Sequence, residues 1–129
     1  MLSVRLFLIV QILTLAGFGL AYFVRPQETA NLSGMLLMAP AALTDVRAYY
    51  GGLQLGLAAW LGLALLRGDL LRPALMLLVL LYSALFLARL GGLWLDGGAQ
   101  QTFNLYAMLF EGVSAALAFW LLRGRSAAA

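Results

Sequence analysis

Four stretches of this chain, residues 4–24, 47–66, 73–95 and 103–122, are each about as long and as apolar as a membrane-crossing helix. That pattern limits the fold more than any other feature. In hydrocarbon every backbone N–H and C=O needs an internal partner, and a helix supplies one without help from its neighbours. The breaks between the stretches, RPQETANLSG, RGDLLRP and DGGAQQT, hold the charges, amides, Gly and Pro that a helix interior avoids. No alternating strand pattern competes. The expected fold is all-α: one domain over residues 1–129, an integral membrane up-down four-helix bundle. Pro73 suits the first turn of the third helix, where its missing N–H costs nothing. Residues 31–43 (NLSGMLLMAPAAL) are apolar but too short to cross and are interrupted by Pro40. They are expected to form a short amphipathic cap between the first two helices in the outer interface, with a re-entrant dip or an apolar loop packed over the bundle mouth as the alternatives.

Composition agrees with a membrane protein and removes several function classes. Hydrophobic residues make up 64% of the 129, and charged residues only 10%, against roughly 25% in a soluble domain. There is no Cys and no His. That excludes thiol relays, iron–sulfur ligation, the usual haem and zinc ligands and a Ser–His–Asp triad. The five acidic residues are too dispersed for a metal cage, so no cofactor and no metal are expected. The net charge of +3 comes from Arg residues scattered along the chain. Nucleic-acid binding would need a clustered basic face.

Those arginines also orient the spans. If the helices alternate in direction, Arg5, Arg67, Arg72, Arg123 and Arg125 fall on one side, which the positive-inside rule makes cytoplasmic. Both termini then face the cytoplasm. Arg25, Glu28, Asp45, Arg47 and Asp96 lie on the other side. The first apolar stretch exceeds the ~7–15 residues of a signal-peptide core, so it is read as a retained helix.

Two charges lie well inside the apolar stretches, away from their ends: Arg89 in the third and Glu111 in the fourth. Ionisable groups at such depth mark functional sites or buried pairs. With a rise of about 1.5 Å per residue, Glu111 falls roughly 12 Å, Gln54 roughly 10 Å and Arg89 roughly 9 Å below the outer ends of their helices. Three polar side chains on three helices thus share one level. Positions three, four and seven apart share a helix face. On that spacing Asn104, Ala107, Glu111, Ser114, Ala115 and Ala118 form one stripe, and Tyr82, Phe86, Arg89, Gly92 and Asp96 another. Arg47, Tyr50, Gly51, Gln54 and Ala58 form a third. Leu109, Phe110, Val113, Leu117 and Trp120 are left for lipid. Gly52/Gly56 and Gly112/Ala116 have the spacing of close helix contacts, and Gln11 and Thr14 suit interhelical hydrogen bonds. Tyr22, Tyr49, Tyr50, Trp94 and Tyr106 fit an interfacial aromatic belt.

The run from Asp45 to Gly56, DVRAYYGGLQLG, resembles the signature D-x-R-A-x-Y-G-G-L-x-L-G of a bacterial membrane family, domain of unknown function 4345, within the DoxX-like group. Arg25-Pro26-Gln27-Glu28, Ala88-Arg89-Leu90-Gly91 and Glu111 fit it as well. The resemblance covers nearly the whole chain. It implies a compact four-helix fold. Members of the wider group have been linked to quinone-coupled sulfur oxidation and to accessory roles in membrane complexes, and transferring either role here would rest on fold analogy alone.

The functional expectation is an outward-facing pocket that binds a lipid, quinone or similar amphipathic molecule. Arg47 and Arg89 would hold an anionic or carbonyl group, Glu111 would balance charge or carry a proton, and Tyr50 and Gln54 would add hydrogen bonds. The competing expectation is structural: Arg89–Glu111 as a buried clamp and Asp45–Arg47 as a rim pair, in a subunit of a membrane complex or a homo-oligomer. A small multidrug-type proton-coupled transporter is the third. A carboxylate facing an arginine makes a poor proton carrier, and that class carries its Glu in the first helix. No spacing motif demands an enzyme.

Overall fold

The computed structural model describes residues 2–97 and 101–128, with side chains to residue 124. The expected break around residues 98–100 and the Arg125 side chain lie outside the described residues. Among the described residues the chain is all-α, without strands. Four helical stretches are long and apolar enough to cross a membrane: Leu2–Val24, Pro40–Leu66, Gly68–Asp96 and Thr102–Gly124. The chain divides into two compact units, Met1–Gly68 and Asp69–Ala129.

In the first unit, α1 (Leu2–Val24) leads through Arg25 into the short α2 (Pro26–Ala30), started by its proline, and a 3₁₀ turn (Asn31–Ser33). Gly34 follows at φ 81°, a left-handed conformation that glycine adopts without a Cβ penalty. Residues 35–39 carry no helix. They run as a strap without regular structure, and Met35 and Leu37 pack on the buried cluster of Tyr22, Ala30 and Val46. Gln27 secures the strap, its Oε1 accepting from the Leu37 N–H at 3.2 Å.

Pro40 does not interrupt the segment; it begins the second span. It occupies the first turn of α3 (Pro40–Val46), where its fixed φ suits a helix and its missing N–H is no loss. The helix continues through a π-helical turn (Arg47–Gly52) into α4 (Leu53–Leu66). The span therefore begins seven residues before the expected 47, because proline at a first helical turn starts a helix rather than breaking one.

The π turn lies where the span meets α1. A Cβ on Gly19 would stand 3.0 Å from the Gly51 carbonyl oxygen, and one on Gly51 would stand 3.2 Å from that of Gly19. These two glycines make the close contact expected of Gly52 and Gly56; a Cβ on Gly56 would meet nothing within 4 Å. Thr14, expected to bond between helices, donates instead to the Val10 carbonyl at 2.9 Å, within α1. At the other end of the pair the Arg5 guanidinium donates to the Leu65 carbonyl at 2.8 Å.

The second unit is a hairpin of α5 (Leu71–Asp96) and α6 (Thr102–Ala128), with a 3₁₀ turn (Gly68–Leu70) ahead of α5. Pro73 falls in the first turn, as expected. The stripe on α6 is inward-facing: Glu111, Ser114 and Ala118 are buried, and Asn104, Ala107 and Ala115 are half-buried. Leu109, Val113, Leu117 and Trp120 are exposed, while Phe110 turns edge-on to Tyr82 at 5.8 Å. Gly112 admits the Phe86 ring, whose nearest carbons would lie 3.1 Å from an added Cβ.

Candidate functional site: two polar centres

The second unit holds the deeper polar centre. Arg89, near the end of α5, donates from Nε to Glu111 Oε1 of α6 at 2.7 Å. Its Nη1 donates to Asn104 Oδ1 at 2.6 Å. Asn104 lies two turns before Glu111, which brings the two acceptors onto one face of α6. The Asn104 amide in turn donates to Gln101 Oε1 at 2.9 Å, which holds its oxygen toward the arginine. The carboxylate is almost enclosed and the guanidinium less so, with side-chain exposures of 7% and 28%. A charge-assisted pair in such surroundings is stronger than its counterpart in water and costly to leave half-made. The spacing puts Asn104 on the Glu111 stripe, outside the five expected site residues. An amide two turns from a buried carboxylate on one face was the available signal.

The first unit holds Arg47, Tyr50 and Gln54, each engaged locally. The Arg47 guanidinium donates to the Phe23 carbonyl at 2.6 Å and lies 5.8 Å over the Phe23 ring. Phe23 is in the last turn of α1, so Arg47 caps one of that helix's orphan carbonyls with a positive charge. Among the described residues it forms no ion pair with Asp45. Two residues apart on a helix, their side chains do not face each other. The Tyr50 ring stacks on Tyr22 with centroids 5.1 Å apart. Gln54 turns back onto its own helix, Nε2 donating to the Tyr50 carbonyl at 2.8 Å. The stretch DVRAYYGG thus builds the joint between α1 and the second span: a cap, a ring stack and a glycine contact. The π turn itself was not legible, since face assignment assumes a uniform 3.6-residue period and a wider turn changes it locally.

Of the five expected site residues, Arg89 and Glu111 come together in the second unit, and Arg47, Tyr50 and Gln54 are neighbours in the first. Among the described residues no group of His, Cys, Asp and Glu could hold a metal ion.

Four apolar spans, with a part-buried Arg–Glu pair between two of them, define an all-helical, multi-pass membrane protein. The chain belongs to the family described as Domain of unknown function (DUF4345), which it matches over residues 3–122. No curated protein and no solved structure matches it.

Proposed function

We propose that this chain is a small multi-pass protein of a bacterial cell membrane, both termini cytoplasmic, that binds an amphipathic molecule at the Arg89 centre. The guest is a lipid or quinone with an anionic or carbonyl head. One observation carries this reading: two of the five N–H groups of Arg89 are held by Glu111 and Asn104, while 28% of the side chain stays exposed. Arginine held by two partners meets a third at little further entropic cost. Among the described residues Nη2 makes no bond, so the guanidinium keeps donors for an oxygen acceptor. Glu111 is the counter-charge that makes the arginine tolerable at this depth. Arg47, Tyr50 and Gln54, first expected in the same pocket, are assigned here to the α1 joint.

Native mass spectrometry of the detergent-purified protein tests the proposal. A retained amphipathic molecule should be present in the wild type and lost in Arg89→Gln. The near-complete enclosure of Glu111 favours a second reading, a purely structural clamp. A wild type that retains nothing, with Arg89 and Glu111 coupled only in stability, would establish the clamp in place of the binding site.

A further inference from the structure

The first unit carries an open groove of about 620 Å³ along the end of α1, lined by Gly17, Phe18, Ala21, Val24, Arg25 and Glu28 among others. Its lining residues all belong to the first unit, and its volume lies within the range of small-molecule sites. The wall is apolar in effect. Thr29, its one hydroxyl, is buried and directs that group to the carbonyls of Arg25 at 2.7 Å and Ala21 at 3.0 Å. From Gly17 to Val24 the helix rises roughly 10 Å, about two-thirds of one ~15 Å leaflet of hydrocarbon. At the rim the character changes abruptly. Arg25 and Glu28 stand side by side, 76% and 67% exposed, at a loose 3.5 Å. A pair this open and this long contributes little to stability, and its partners are readily exchanged.

We infer that this groove is a site for a zwitterionic phospholipid bearing a primary ammonium. One acyl chain lies along Gly17, Ala21 and Val24, Arg25 takes the phosphate, and Glu28 takes the ammonium. The charge order selects the class. A phosphate with no cation would meet Arg25 but be repelled by the neighbouring carboxylate. A quaternary ammonium would offer Glu28 no N–H donor, whereas a primary ammonium offers three.

The test uses the full-length protein in nanodiscs of equal parts phosphatidylethanolamine, phosphatidylcholine and phosphatidylglycerol, with bound lipid counted by native mass spectrometry after release. Phosphatidylethanolamine should be enriched about 3-fold over each of the others, the scale of one exposed ion pair. Glu28→Gln should bring that enrichment close to one, and Arg25→Gln should lower retention of all three lipids. Gly17→Phe should also lower retention of all three, since a Cβ there meets nothing within 4 Å and the ring would fill the groove. Equal retention of the three lipids by the wild type overturns the inference, and this arm needs no variant to fold. An enrichment that survives Glu28→Gln overturns it as well. Loss of the Arg89 guest leaves these outcomes unchanged, so the two proposals fail separately.

Discussion

Removing Arg89 and Glu111 singly and together should give three unequal losses of stability, and the inequality follows from the geometry. At 2.7 Å and an effective dielectric constant of about 20, the attraction between the two charges is about 6 kcal/mol. Desolvation offsets part of that, so the pair's coupling should be about 2–3 kcal/mol. Arg89→Ala strands a carboxylate that is only 7% exposed and should cost about 3–5 kcal/mol. Glu111→Ala strands the more exposed guanidinium, which keeps its 2.6 Å bond to Asn104, and should cost about 1–3 kcal/mol. The double variant leaves neither charge behind, so it should lose less than the two single losses combined. Reversible unfolding of the detergent-solubilised protein by sodium dodecyl sulfate, followed by tryptophan fluorescence, would measure all three. Additivity within about 0.5 kcal/mol would refute the reasoning, and so would a costlier Glu111→Ala.

Three further outcomes can be checked with similar means. Gly51→Ala should destabilise by about 1–3 kcal/mol, because its Cβ meets backbone of α1, whereas Gly56→Ala should be tolerated in open space; unfolding midpoints of the two variants decide this. Arg47→Ala should lose about 1.5–3 kcal/mol with its bond to the Phe23 carbonyl, and Arg47→Lys should recover part of it in the same assay. The chain has no native cysteine, so single cysteines can report topology: Ser3 and Asp69 variants should be shielded from an impermeant maleimide in intact cells, and Asn31 and Asp96 variants labelled, as the distribution of arginines requires. Labelling of the first pair and shielding of the second would invert the topology.

Much of the Arg89–Glu111 pairing was legible from residue counting, because both helices there are regular and a 3.6-residue period carries faces reliably over two turns. The same counting put Asn104 on the stripe, although no single rule marks an amide as a partner for a guanidinium on another helix. Around Arg47 counting was less informative. The partners of Arg47, Tyr50 and Gln54, a carbonyl, a ring and a backbone oxygen, carry no signature in residue type. Any helix end offers a carbonyl, and which side chain reaches it depends on where two helices cross.

Residue order alone determined the helical class, the number of spans and the placing of Arg89 and Glu111 inside two of them. Each follows from the cost of unpaired polar groups in hydrocarbon, which acts locally along the chain. Tertiary structure decided what the spans do to one another. It set the contact of Gly19 with Gly51, the π turn that accompanies it and the strap folded back on Tyr22. Close packing is a relation between surfaces brought together by folding, and so these features could be read only from the assembled helices.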